Sequence, residues 1–133
     1  MFNKKCFSVV MIAIGMGAAG IAAAKSDLTI INNTNYDSTS IINNGACSTI
    51  LGDSGITRAH STNVVSAMKI AMACFTNPAN CKADVYMTAN CSGPVVATVI
   101  FDTKTGIKSK TVYDQSFVLT GGGFHIILDG GGR

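Results

Sequence analysis

The sequence predicts an all-β protein: an antiparallel β-sandwich of about eight or nine short strands, stabilised by disulfides. Three observations lead to this prediction. The C-terminal half contains strand-length runs rich in β-branched and aromatic residues, separated by turn residues. The chain beyond its N-terminal segment is rich in Ser, Thr, Asn and Gly, which suits strands and turns better than helices. Four of the five cysteines also lie in this part of the chain.

The N-terminal segment has the pattern of a secretory signal peptide. Lys4 and Lys5 precede an almost uninterrupted apolar run, 7–21, and three alanines, 22–24, follow it. Small residues at this point are typical of a signal peptidase site, with the cut expected after Ala24. An uncleaved membrane anchor is the alternative, but a spanning helix needs about 20 apolar residues and this run is at the short limit. We therefore expect a signal peptide, 1–24, of bacterial type, followed by one domain, 25–133.

Charge and hydropathy of the mature chain exclude two classes of partner. Removal of Lys4 and Lys5 lowers the net charge from +3 to +1, and no basic tract remains. Nucleic acid is therefore not an expected partner. No second long apolar run follows, so we expect no membrane insertion after signal cleavage.

The cysteines predict two disulfides in an exported domain of this size. Four cysteines allow three pairings. We favour Cys74–Cys81 with Cys47–Cys91, because "CFTNPANC" contains an Asn-Pro turn that brings its ends together. A zinc site is the alternative, but 26, 6 and 9 residues separate neighbouring cysteines, which does not match the close spacing of zinc ligands.

The first half of the domain predicts a strand at 28–31 and a hairpin after it. The segments 38–42 and 46–51 flank Asn43-Asn44-Gly45, and Asn-Gly is a strong hairpin signal because both residues tolerate positive φ. The segment 52–63 lacks periodicity and collects Gly, Asp, Ser and Thr, so we expect a loop there.

The segment 64–75 fits two structures. Apolar residues alternate from Met68 to Cys74, as in a half-buried strand, but a helical stripe also connects Val64 to Phe75. We favour the strand because the surrounding segments are β and a disulfide at its end suits a hairpin. A strand would bury Met68 and Met72, and we also place Met87 in the core rather than in a Cu(I) site.

Five further strands are expected in the C-terminal half, at 83–89, 95–101, 107–113, 116–120 and 124–128. Strands at this spacing suggest a sandwich that resembles the immunoglobulin-like class in architecture. The chain has no Trp, so the Cys…Trp…Cys signature of true immunoglobulin domains is absent. The final glycines, Gly130–Gly132, are expected to form a frayed tail.

The tetrapeptide Gly-Asp-Ser-Gly at 52–55 resembles the motif around the nucleophile of trypsin-like proteases. Those enzymes place His and Asp before the Ser, whereas the nearest histidine here, His60, follows Ser54. The start of the motif also resembles the first block of the GDSL hydrolases, but His125 and Asp129 stand in the reverse of that family's order. Asp in a tight turn followed by Gly gives the same pattern. We therefore predict a turn, with Ser54, His60 and Asp53 as the residues of the hydrolase alternative.

A metal site is not indicated by the spacing of the two histidines. His60 and His125 could bind a metal if folding brought them together, with Asp53 or Asp129 as a third ligand. We favour two surface histidines, since His125 falls on the outward side of its strand. No cofactor is expected.

We expect an exported, non-enzymatic binding or interaction module, either a secreted effector or a cell-envelope protein, located outside the cell or in the periplasm. Small disulfide-bonded β domains without a convergent acid–base set bind rather than catalyse. An unidentified protein or glycan partner is expected, with a monomeric or weakly oligomeric chain. The candidate surfaces are the 52–63 loop with Asp53, Arg58 and His60, and the aromatic residues Tyr86, Tyr113 and Phe117.

Two alternatives remain for the function. One is a small serine hydrolase that uses Ser54. The other is a structural subunit of a surface fibre, which resembles the chaperone–usher pilins in export, sandwich architecture and disulfide. The chain ends in Gly-Gly-Gly-Arg rather than in the aromatic ending usual for those pilins.

Overall fold

Two four-stranded sheets form the structure, a computed structural model that describes residues 22–131. Sheet A has the order β3-β1-β8-β7, and sheet B has the order β2-β4-β5-β6. The strands of sheet A are Leu28–Asn32 (β1), Ser61–Val65 (β3), Phe117–Gly122 (β7) and His125–Gly130 (β8). Those of sheet B are Thr39–Ile42 (β2), Cys81–Tyr86 (β4), Ala97–Asp102 (β5) and Gly106–Val112 (β6). The predicted all-β sandwich is confirmed.

One strand pair departs from the antiparallel arrangement. β1 and β8 run parallel, with Ile30 opposite Ile126, whereas the other neighbouring strands in both sheets are antiparallel. The parallel pair brings the first and last strands of the domain together at the centre of sheet A.

The core lies between the sheets and follows the period of two along each strand. In β5 the side chains of Ala97, Val99 and Phe101 are buried, while the residues between them are partly exposed. Phe101 contacts Phe124 edge to face, with ring centroids 5.3 Å apart. The largest buried cluster joins both sheets through Val85, Met87, Val96, Ala97, Val99, Leu119 and Leu128.

The segment expected to be a strand at 64–75 is a helix, so that prediction is wrong. β3 ends at Val65, and the helix α1 spans Ala67–Ala73. Ser66 caps it, because its side chain accepts a hydrogen bond from the Lys69 amide at 3.2 Å. The Ala, Met and Lys residues that follow are strong helix formers, and this local preference prevails over the β surroundings.

The helix also corrects the predicted burial of two methionines. Met68 and Met72 lie on the exposed face of α1, whereas Ile70 and Ala71 are buried. Met87 lies in the core as expected.

The predicted hairpin keeps its turn but not its second strand. Asn43 and Asn44 have φ of 52° and 59°, the conformation that two-residue hairpin turns require. The expected strand 46–51 is replaced by a single bridge at Cys47 and a 3-10 segment, Ser48–Gly55. The first residues of the expected 52–63 loop belong to this 3-10 segment, and the last residues of that loop belong to β3.

The physical reason for the lost strand is a side chain that replaces a backbone partner. The Ser40 amide donates to Ser48 Oγ at 3.0 Å, and Ser48 Oγ donates to the Gly55 carbonyl at 2.6 Å. Ser side chains compete with strand pairing in this way.

The chain ends of the domain are well packed. Gly131 is buried, and its amide donates to the Ser116 carbonyl at 2.7 Å. The prediction of a frayed tail is therefore wrong for Gly130 and Gly131. Gly132 lies outside the described residues. At the other end, Ala24 is buried and its amide donates to the Ala67 carbonyl at 3.1 Å. Residues 1–21 of the predicted signal peptide, 1–24, lie outside the described residues. Within residues 22–131 no helix is long and apolar enough to cross a membrane.

The disulfides join Cys47 to Cys91 and Cys74 to Cys81, the pairs that the sequence favours. The first ties the start of the 3-10 segment to the connection between β4 and β5. The second ties the end of α1 to the start of β4.

Replacing both cysteines of one bridge by serine tests the two disulfides separately. The bridges span 44 and 7 residues of sequence. On the loop-entropy model, loss of the longer one costs about 4 kcal/mol and loss of the shorter about 2.5 kcal/mol. We therefore expect the urea midpoint of the Cys47→Ser/Cys91→Ser variant to fall further than that of Cys74→Ser/Cys81→Ser. Equal midpoints would contradict this order.

Candidate functional site

An apolar cavity of about 120 Å³, here called the inner cavity, lies between the two sheets. Its walls come from both sheets, from α1 and from the 3-10 segment. Several apolar residues that line it are only half-buried, although they point into the sandwich: Leu28, Ile30, Ile42, Ala83 and Ile126. Their exposure means that the two sheets do not fill the space between them in this region.

A second space of about 180 Å³, here called the outer pocket, lies beside the inner cavity. It is lined by exposed side chains, among them Ile50 and Met72. The two spaces have four lining residues in common: Ile42, Ser48, Leu51 and Ala73. The two spaces therefore adjoin at these four residues.

Four large apolar side chains on α1, just after it and on the 3-10 segment are exposed, and two of them, Ile50 and Met72, line the outer pocket. Ile50 is 75% exposed, Met72 53%, Met68 48% and Phe75 63%. Met68 and Met72 lie four residues apart on α1 and therefore share one face. This group of four side chains is here called the apolar rim. Clustered exposed apolar residues are a mark of binding surfaces in monomeric proteins.

A polar pair stands at the wall of the inner cavity. Ser54 lines the cavity, and its Oγ accepts a hydrogen bond from Lys69 Nζ at 2.6 Å. Asn63 Nδ2 donates to the Ser54 carbonyl at 2.9 Å and fixes the backbone there. Within residues 22–131, Lys69 forms no ion pair at 4.0 Å or less. The pair places a positive charge beside an apolar cavity.

The structure does not assemble the residues of the hydrolase alternative. His60 Nε2 donates to Asn35 Oδ1 at 2.6 Å, and the Asp53 side chain is 99% exposed, with Oδ1 3.8 Å from Arg58. Neither side chain forms a hydrogen bond with Ser54. The motif itself forms a turn, in which the Ile56 amide donates to the Asp53 carbonyl at 3.2 Å.

Sequence reasoning missed the residue that does contact Ser54. Lys69 is 15 residues away along the chain, on an element expected to be a strand. No local motif joins a loop serine to such a lysine. A helical assignment of 64–75 would have put Lys69 in the first turn after a Ser cap.

The other predicted surface residues lie apart from the cavity. Arg58 Nη1 is 3.3 Å from Asp37 Oδ2. Tyr113 donates to Thr98 Oγ1 at 3.0 Å, and Phe117 packs edge to face on Tyr36, with centroids 6.0 Å apart. Tyr86 is half-buried at the end of β4, and His125 is exposed on β8. Within residues 22–131 no three His, Cys, Asp or Glu side chains lie together as metal ligands would.

Comparison with known proteins gives a family and one similar structure. A family model described as "T2SS substrate NttC" matches residues 2–133. The crystal structure of the Legionella pneumophila type II secretion system substrate NttC is similar at 26% identity and a TM-score of 0.67; the match covers 80% of this chain and 99% of that one. A search of curated protein sequences finds no match.

The closure of the 3-10 segment can be tested at Gly55. A Cβ at this position would overlap the Ser48 carbonyl oxygen, so Gly55→Ala must push the two ends of the segment apart. We expect it to destabilise the protein by about 1–3 kcal/mol and to speed hydrogen exchange of the Ile56 amide.

Gly122→Ala is the matched control, because nothing lies within 4 Å of the added methyl. We expect its effect to stay within about 0.5 kcal/mol. Thermal unfolding and amide exchange measure both variants. Unchanged exchange of Ile56 in Gly55→Ala would mean that the contact between Ser48 and Gly55 does not hold the segment closed.

Proposed function

The chain belongs to the family of type II secretion system substrates described as NttC, and from this premise we propose that it is a secreted, non-enzymatic binding protein for an apolar ligand. Membership of the family implies export across the bacterial envelope. The predicted signal peptide supplies the first step of that export. The ligand site in this proposal is the inner cavity, entered through the outer pocket.

The observation that carries the proposal is the inner cavity itself. It is a space of about 120 Å³ between the two sheets, and its lining is largely apolar. Ligand sites are typically concave and mostly apolar, with a small number of polar groups that orient the ligand. A space of this kind suits an apolar ligand.

The apolar rim supports the same proposal. Its side chains are those that a folded domain normally buries, and two of them, Ile50 and Met72, line the space that adjoins the cavity. Methionine side chains are flexible and polarisable, which suits a site that accepts more than one apolar shape. The sequence alone suggested a protein or glycan partner. The cavity favours a small apolar molecule or the apolar part of a lipid instead.

The variant Ala73→Phe tests the proposal, because Ala73 stands on the wall that both spaces share. The uncharged fluorophore N-phenyl-1-naphthylamine is the probe. We expect a saturable rise in fluorescence with the native protein and at least a tenfold weaker affinity in Ala73→Phe, since the added ring occupies the entrance.

Ala89→Phe is the matched control for this experiment. It adds the same ring at an exposed position outside both spaces, so its affinity should equal that of the native protein. Thermal unfolding checks that each variant is folded. The proposal fails if the native protein shows no saturable signal or if Ala73→Phe binds as tightly as Ala89→Phe.

A serine hydrolase is the second candidate, and the contact between Lys69 Nζ and Ser54 Oγ is the observation that favours it. Some hydrolases use Lys as the base for a Ser nucleophile. A base of this kind is in turn oriented by a third group, and among residues 22–131 Lys69 Nζ has no hydrogen-bond partner besides Ser54 Oγ.

An alkyl fluorophosphonate distinguishes the two candidates, because it labels a nucleophilic serine covalently. The binding proposal expects no mass increase on the purified protein. Labelling that is present in the native protein and in Ser61→Ala, but absent in Ser54→Ala, would establish the hydrolase instead.

A further inference from the structure

We propose that the ligand is a single-chain carboxylate, such as a fatty acid, with its chain in the inner cavity and its carboxylate on Lys69 and Ser54. This inference rests on the proposed function and specifies the chemistry of its ligand. The two parts of such a molecule match two features of the structure, an apolar cavity and a cation that is hydrogen-bonded to Ser54 of its lining.

Lys69 has hydrogen-bonding capacity to spare. Its ammonium group has three donors, and among residues 22–131 its hydrogen-bond partner is Ser54 Oγ. Ser54 Oγ accepts this bond, while its own hydrogen has no acceptor in the same part of the chain. A carboxylate is an acceptor only and can bind both groups at once.

Two other cations of the domain, by contrast, are engaged in ion pairs. Arg58 pairs with Asp37 and Asp53, and Lys82 pairs with Asp84 at 3.7 Å. Lys69 is half-buried beside the apolar cavity with no carboxylate within 4.0 Å among the described residues. A buried or half-buried cation is stabilised by an opposite charge, and here the ligand would supply it.

Two further polar side chains at the cavity wall, Thr39 and Ser48, are engaged within the protein. Thr39 Oγ1 donates to the Thr88 carbonyl and accepts from the Cys91 amide. Ser48 Oγ donates to the Gly55 carbonyl and accepts from the Ser40 amide. The pair Ser54 and Lys69 differs from the other polar groups of the lining in carrying a positive charge, so a negatively charged head group would bind there.

Size and charge both favour one chain with one negative charge. A cavity of about 150 Å³ holds a molecule as small as benzene, so the inner cavity takes several methylenes of one chain. The outer pocket extends this space by about 180 Å³. Two acyl chains of a phospholipid exceed both together. One lysine supplies one positive charge, which a single carboxylate balances.

Laurate and its uncharged analogue 1-dodecanol test the inference by calorimetric titration. We expect the native protein to bind laurate at least tenfold more tightly, because a charged hydrogen bond in a partly buried site is worth this much. In Lys69→Met the preference for laurate should disappear, while the affinity for 1-dodecanol stays unchanged.

Lys104→Met is the matched control, since it removes the same charge at an exposed turn away from the cavity and should keep the preference for laurate. Equal binding of laurate and 1-dodecanol to the native protein would overturn the carboxylate inference and leave the apolar site intact. Binding of neither ligand would overturn the proposed function as well. A preference that survives in Lys69→Met would place the head group elsewhere and overturn the inference.

Discussion

The buried side chain of Asn32 holds together the parts of the structure on which the site depends. Its Nδ2 donates to the Tyr36 and Thr57 carbonyls at 2.6 and 3.2 Å, and its Oδ1 accepts from the amide and hydroxyl of Thr34 at 2.9 and 2.6 Å. Asn32 is fully buried at the end of β1, which lies inside sheet A. Each of these groups would cost about 1–3 kcal/mol if it were left unpaired. The side chain therefore fixes where the chain turns after β1 and where Thr57 lies.

Thr57 is one of two anchors of the 3-10 segment that borders the cavity. It forms a backbone bridge with Ser38, so that the segment ends against the strand edge of sheet B. The Cys47–Cys91 disulfide anchors the other end. Between them, Ser48 Oγ closes the segment on Gly55. The segment is therefore fixed at both of its ends, and four of its residues line the inner cavity: Ser48, Leu51, Ser54 and Gly55.

The sequence predicted the strands well and the site poorly, for physical reasons. The strands from β4 to β8 were predictable because the alternation of apolar and polar residues and the turn residues between strands are local signals. The disulfides were predictable because of the Asn-Pro turn between Cys74 and Cys81. The apolar residues of the 64–75 segment fit both the strand period and the helix period. The helix is decided by the Ser66 cap, and a single capping residue is a weak signal in a sequence. The cavity was not predictable at all, since an apolar pattern tells which face is inward but not whether the facing side chains meet. The contact of Lys69 with Ser54 depends on that helix and on the 3-10 segment together.

The Cys47–Cys91 bridge stabilises the domain beside the candidate site without filling any space there. On the loop-entropy model it contributes about 4 kcal/mol, and a domain of this size has little stability to lose. Because the bridge acts on the unfolded chain, it leaves the space between the sheets unchanged. Large side chains at the cavity wall would also stabilise the domain, but they would close the space that a ligand can enter. A bridge beside an open cavity is therefore the arrangement expected when the cavity itself is used.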